Sequence, residues 1–284
     1  MILHIKHVLE YTYSEEVSLN PHYLYLSPKP TPYQQVFFQN LKVSPIPELT
    51  IKNMDQENNI QHVCFFNTKL KNLKVTSNIK IKSEAFNTLD FVFYPFESSK
   101  IPFSYKGNLG IYADYYLGKK NISFDVRAYA ESIAEESNHN TIDFIMNIIK
   151  KIKADFQYIS REIGEANLSH LTLITKEGTC RDFAVLMIDM CATKGIVARF
   201  VSGYLYGSEL HRHELHAWVE VLLPGGGWRG FDPTEGKVVS ENYVALASSL
   251  ESQGLNPVRG TFRAFRNVES WLNTSVIIKN HKIT

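Results

Sequence analysis

Between residues 110 and 125 the hydrophobic pattern of this chain changes period, and no other feature constrains its fold as strongly. Before the change, apolar residues recur at every second position, the pattern of strands with one buried face. Leu3, Ile5, Leu9, Tyr11 and Tyr13 share one parity, while Leu73, Val75, Ile79 and Ile81 alternate with Lys74, Thr76, Asn78, Lys80 and Lys82. The lysine side of such strands faces water. Asp55-Gln56-Glu57-Asn58-Asn59 is a polar turn cluster, and Pro28, Pro30 and Pro32 break the chain ahead of a strand over 36–43. These signals predict an antiparallel β-sandwich over residues 1–118. A chain of 284 residues exceeds the usual single compact domain, so residues 119–284 are expected to form a second one.

Beyond the change, Val126, Tyr129, Ala130, Ile133 and Ala134 fall on one stripe of a helix that Asp125 is placed to cap. A second helix begins at Asn140 or Thr141 and lines up Ile142, Ile145, Met146, Ile149 and Ile152. Phe183, Ala184, Met187, Ile188 and Cys191 mark a third, which ends at Gly195, a residue suited to the left-handed closing conformation. The period then returns to two. Residues 197–203, 216–223 and 228–231 read as strands, the last two joined through the hairpin loop Pro224-Gly225-Gly226-Gly227. The fold class is therefore α+β, with helices packed on a second antiparallel sheet.

Composition removes several classes of function. Hydrophobic residues make up 44% and charged residues 21%, the balance of an ordinary globular protein. With 30 Lys+Arg against 29 Asp+Glu, the net charge of +1 does not suit a phosphate-tracking surface, so no nucleic-acid partner is expected. No apolar run approaches the roughly 20 residues of a membrane-spanning helix. The N-terminus alternates like a strand instead of presenting a signal peptide, which leads to the expectation of a cytoplasmic protein without membrane contact. Cys64, Cys180 and Cys191 cannot all pair and lack the Cys-x-x-Cys spacing of structural zinc, so reduced thiols are expected.

Cys180 follows Gly178-Thr179 as the first residue of the third helix, where unpaired N–H groups and the positive end of the helix dipole favour a thiolate. Alone, such a cysteine reads as a small buried hydrophobe. His216 opens the strand His216-Ala217-Trp218-Val219-Glu220-Val221, a rigid element that can present its ring to a helix start. Asp232 lies 16 residues further on, after a strand that the glycine hairpin makes the antiparallel neighbour of the first. A carboxylate beside the imidazole would fix its tautomer and stabilise its protonated form, completing a set of nucleophile, base and orienting group. Asp232-Pro233-Thr234 also reads as a plain strand-ending turn.

Together, Gly-Thr-Cys-Arg-Asp-Phe-Ala, His-Ala-Trp-Val-Glu-Val and Gly-Trp-Arg-Gly-Phe-Asp-Pro-Thr resemble the catalytic core of the transglutaminase-like superfamily. Ala198-Arg199-Phe200-Val201-Ser202-Gly203-Tyr204 resembles the strand between its cysteine and histidine motifs. Residues 1–83, with Ser18-Leu19-Asn20-Pro21-His22, resemble the bacterial transglutaminase-like N-terminal region, and Pro257-Val258-Arg259-Gly260-Thr261-Phe262 a segment near the end of such proteins. The likeness spans nearly the whole chain. It implies a papain-like core with Cys180, His216 and Asp232 as catalytic triad, a peptide or protein substrate, and neither cofactor nor metal. It further implies amide hydrolysis ahead of transglutamination, with a non-catalytic peptide-binding module as the rival from another class. Arg181 departs from the glutamine that many relatives carry after the cysteine.

His211, His213 and His216 raise the question of a metal site, but on a strand the first two face one side and the third the other. His213-Glu214-Leu215-His216 is one residue short of the His-Glu-x-x-His zinc helix. Asp182 points away from the nucleophile on a helix and is expected to bond nearby backbone. Trp218 and Trp228 read as core or cleft-wall aromatics, and Cys191 as a buried apolar residue.

Overall fold

The computed structural model describes residues 1–118, 121–161, 164–208, 214–250 and 255–281. The alternating first third forms β1 (Ile2–Leu19), β2 (His22–Leu24), β3 (Gln34–Ser44), β4 (Leu49–Met54), β5 (Ile60–Phe65) and β6 (Lys69–Ser83). β6 lies between β1 and β3 in one antiparallel sheet, while β5 lies between β2 and β4 in another. The polar cluster ahead of β5 is a turn, closed by Asp55 Oδ1 accepting from the Glu57 and Asn59 N–H groups at 2.9 Å each. Leu3, Ile5, Leu9, Leu73, Val75 and Ile81 are buried on the predicted parity, in one core with Leu24 and Cys64 of the second sheet and Leu26 just after β2. Each such side chain contributes roughly 1.5–3 kcal/mol on burial. His7 falls on the same parity and is buried too. Its Nδ1 meets Tyr204 Oη at 3.0 Å and its Nε2 meets Thr274 Oγ1 at 3.1 Å.

The helical middle contains α1 (Asn108–Leu117), α2 (Phe124–Glu136), α3 (Thr141–Asp155), α4 (Ser169–Thr175) and α5 (Cys180–Thr193). α1 and α4 have no predicted counterpart. α1 buries only Ala113 and Tyr116, so it carries no periodic stripe, and α4 is only 7 residues long. Asp125 does not cap α2, because the helix begins one residue earlier; Ser123 Oγ accepts from Val126 N–H at 3.4 Å, leaving Asp125 in the first turn. Asn140 caps α3 as expected, with Oδ1 accepting from Ile142 and Asp143. The α3 stripe is rotated from the predicted one: Phe144 and Ile148 join Ile145, Ile149 and Ile152 inside, while Ile142 and Met146 pack at its rim. α5 stops before Gly195, whose φ of +71° supplies the left-handed residue expected there.

Two short strands, β7 (Gln157–Tyr158) and β8 (Glu177–Gly178), pair in parallel immediately before α5. The five-stranded sheet of the core consists of β9 (Ala198–Leu205), β10 (Leu215–Leu223), β11 (Gly227–Asp232), β12 (Lys237–Val238) and β13 (Tyr243–Ser249), in the order β12-β11-β10-β9-β13. All its pairings are antiparallel. Phe183, Ala184, Met187 and Cys191 of α5 share one core with Phe200, Ala217, Val219 and Phe231 of the sheet and with the inner faces of α2 and α3.

The chain then returns to its beginning. β14 (Val258–Arg259) pairs with β2, and β15 (Phe262–Arg263) and β16 (Ser270–His281) pair with β1. The β16 register runs from Ile2↔His281 to Tyr13↔Ser270. The sandwich also reaches into the core through Glu57, whose Oε2 accepts from Arg199 Nη1 at 3.0 Å and from Tyr116 Oη at 2.6 Å. Arg199 further bonds Glu220 through Nε at 2.9 Å and lies over the Trp228 ring at 3.9 Å. Among the described residues, no helix is long and apolar enough to cross a membrane.

Candidate active site

Gly178 makes the start of α5 possible. A β-carbon there would sit 2.9 Å from Asp182 Cβ and 3.0 Å from Phe183 Cε1. Thr179 is the N-cap, and Asp182, three residues on, completes a capping box. Asp182 Oδ2 accepts from Thr179 N–H at 2.7 Å and from its hydroxyl at 3.0 Å. Oδ1 accepts from Asn167 N–H at 2.6 Å and from Arg161 Nη2 at 2.8 Å. Asp182 is fully buried and has the structural place expected of it. Cys180 is the first helical residue, almost buried, with its side chain in the wall of a cleft. Arg181 points elsewhere, donating to the Gly164 carbonyl at 2.6 Å and the Arg161 carbonyl at 2.7 Å.

His216 stands near the start of β10, opposite Gly203 of β9. A β-carbon on Gly203 would press into the Val244 carbonyl, reach the Trp218 ring at 2.6 Å and the Ala245 Cα at 3.0 Å. The missing side chain lets the Trp218 ring and the β13 backbone approach β9 closely here, where β13 is irregular between Ala245 and Ala247. The His216 ring lies at 27° to the Trp218 ring, with centroids 6.3 Å apart. Trp218 is a core aromatic; Trp228 instead stacks on Arg199.

The hairpin turn, with Gly225 at φ +82°, pairs β10 with β11 and brings Asp232 to His216. His216 Nε2 lies 2.7 Å from Asp232 Oδ2, and His216 and Cys180 line the same cleft. The structure thus brings all three predicted site residues together. Asp232 is fully buried, and its Oδ1 accepts from Thr234 N–H at 2.8 Å and Glu235 N–H at 3.1 Å. It is a turn residue and a partner of His216 at once. Tyr243, which the sequence reading did not single out, donates from its hydroxyl to Asp232 Oδ2 at 2.9 Å.

Burial alone would lower the basicity of His216. The charge of Asp232 and its hydrogen bond, with the hydrogen bond and charge of Cys180, outweigh burial and hold the imidazole well above the ordinary histidine value. Burial would likewise raise the Asp232 carboxyl, but the His216 charge and the bonds from His216, Glu235 and Tyr243 bring it below its usual value. Both shifts favour the charged forms, an imidazolium beside a carboxylate. The cleft has a volume of about 150 Å³, and Cys180, His216, Tyr158, Ser160, Ser208 and Glu214 contribute to its lining. Among the described residues no three or more His, Cys, Asp or Glu are gathered as a metal site, and His211 and His213 lie outside those residues.

The transglutaminase-like superfamily matches residues 127–233, and the bacterial transglutaminase-like N-terminal region matches residues 3–82. An uncharacterized protein of Mycobacterium tuberculosis is 25% identical over 271 residues, which cover 90% of this chain and 86% of the relative. The solved structure of a protein from Cytophaga hutchinsonii, proposed to be a cysteine protease, superposes with a TM-score of 0.72 at 19% identity. That match covers 100% of this chain and 92% of the other, and establishes a shared fold. A protein-glutamine gamma-glutamyltransferase of Pseudomonas aeruginosa is 39% identical over 69 residues, 21% of this chain and 10% of the enzyme.

Proposed function

Because the chain joins a bacterial transglutaminase-like N-terminal region to a transglutaminase-like core, we propose that it is a cysteine-dependent acyl-transfer enzyme that hydrolyses peptide or carboxamide bonds. One observation carries this reading: Cys180 at a helix start shares a cleft wall with an imidazole that a buried carboxylate holds at 2.7 Å. Binding a peptide does not require a thiol, an imidazole and a carboxylate gathered at one cleft.

In the proposed reaction the Cys180 sulfur attacks the carbonyl carbon, and the C=O electrons move to oxygen. The backbone N–H of Cys180, unpaired at the helix start, stabilises that oxyanion. His216 gives its proton to the leaving nitrogen, the C–N bond breaks, and a thioester to Cys180 remains. Water then attacks the thioester as His216 takes one of its protons, releasing the carboxylic acid and restoring the sulfur. Asp232 keeps the imidazole oriented and stabilises its charged form throughout.

The test is mass spectrometry of Cys180 after incubation with a panel of peptide amides. An acyl adduct on Cys180 in the intact protein, with product release that Cys180→Ala abolishes, is expected. Cleavage retained in Cys180→Ala would place the nucleophile elsewhere. A primary amine added during turnover should divert only part of the product, and dominant amine incorporation would replace hydrolysis by transglutamination.

A further inference from the structure

Tyr243 belongs to the last strand of the core sheet, beyond β9, yet its hydroxyl reaches the carboxylate oxygen that also receives His216. We propose that Tyr243 is a positioning residue for this site: its hydroxyl fixes Asp232 Oδ2 and shares that oxygen with the imidazole, setting how firmly His216 keeps its proton. This rests on the triad reading given above.

Among the described residues, four donors converge on Asp232. Thr234 and Glu235 N–H groups take Oδ1, and His216 and Tyr243 take Oδ2. A carboxylate bonded on both oxygens cannot turn, and each donor draws on the charge available to the others. The Tyr243 ring packs edge-on against Trp218 with centroids 5.3 Å apart, and tilted against His216 at 6.4 Å. Phenylalanine would satisfy that packing equally well, so what distinguishes tyrosine is the bond to Asp232. Burial, reinforced by the charge and hydrogen bond of Asp232, pushes the phenol far above its usual range, so it remains a donor wherever the enzyme works.

The direction of the effect follows. Removing the hydroxyl leaves more of the Oδ2 charge to His216, which strengthens the imidazolium–carboxylate pair and raises the pH at which His216 loses its proton. Among the described residues, the other ionisable groups about the pair are Cys180 on α5, Tyr158 and Glu214 in the cleft wall, and Glu235, whose charge acts on Tyr243. All four are unchanged in Tyr243→Phe, so a difference between the two proteins reports the hydroxyl.

Two pH profiles test this: kcat/KM for a cleaved peptide amide, and the rate at which iodoacetate, an anion drawn to the imidazolium, alkylates Cys180 without any substrate. In Tyr243→Phe the alkaline limb of both should move upward by roughly half a unit to one unit. In an Asp232→Ala background the same substitution should move nothing. An unmoved or lowered limb in a Phe variant that melts like the wild type would overturn the inference, as would an equal shift without Asp232. Introducing 3-fluorotyrosine at position 243, a stronger donor of similar size, should move the limb downward and keeps the test decisive if the Phe variant folds poorly. A wild-type Cys180 alkylated no faster than Cys64 and with no alkaline limb would overturn the triad reading itself, and this inference with it.

Discussion

Asp182 holds the start of α5 in place, and replacing it with alanine removes four hydrogen bonds at one point. Thr179 loses the acceptor of its N–H at 2.7 Å and of its hydroxyl at 3.0 Å, Asn167 N–H loses its acceptor at 2.6 Å, and Arg161 loses the carboxylate at 2.8 Å. Asp182 has no exposed side-chain surface, whereas Arg161 retains 29% of its own. Breaking one partner from a buried pair costs about 3–5 kcal/mol, and the lost cap is part of that cost. Water can reach Arg161, which places Asp182→Ala toward the lower end, at about 3 kcal/mol. Asp182→Asn keeps one acceptor oxygen and should lose roughly 2 kcal/mol. Urea unfolding followed by tryptophan fluorescence measures both, provided the m-value is unchanged. The disturbed turn also carries Cys180, so its alkylation in the native protein should slow in the same order. An Asp182→Ala protein within about 1 kcal/mol of wild type would refute the account of the capping box as the anchor of the site.

Two further outcomes are expected. Burial pulls His7 from 6.5 to about 4, so between those values the unfolded chain binds a proton that the folded one refuses. Stability is complete above pH 6.5 and falls by roughly 3 kcal/mol as the pH drops through 4; His7→Gln should shrink the difference between urea unfolding at pH 7.5 and at pH 4 by that amount, and an unchanged difference would exclude His7 as the source. Gly203→Ala forces a methyl against the β13 backbone and the Trp218 ring, costing about 2–3 kcal/mol and lowering Tm by roughly 5 °C or more, so a wild-type melting curve would show that β13 yields freely.

How much of this was legible in the sequence depended on the distance over which each feature is determined. The buried parity of β1 and β6, the start of α5 at Cys180 and the β10–β11 hairpin are local patterns, and the structure follows them. The juxtaposition of His216 and Asp232 was legible because the Gly-rich loop fixes which strands are neighbours. Small offsets decided the α2 cap: Asp125 and Ser123 both suit the position, and the actual helix start selected Ser123. The Tyr243 bond was not legible. It depends on a strand placed beyond β9, an irregularity in β13 and the space left by Gly203, none of which leaves a periodic trace. The pairing of β16 with β1 was hidden for the same reason, since a strand's period specifies a face and not a partner.

That pairing, with the contact of Glu57 on Arg199, has a consequence for how such a chain can be inherited. A crossover between residues 83 and 124 that exchanged the first sheet for another would leave β16 without the strand it lies on and Arg199 without one of its carboxylates. Successful exchange would have to carry the segment 258–281 along with the first 83 residues, although more than 170 positions separate them. The two ends of this sequence should therefore vary in concert across lineages, as a single hereditary unit, while the stretch between them changes at its own pace.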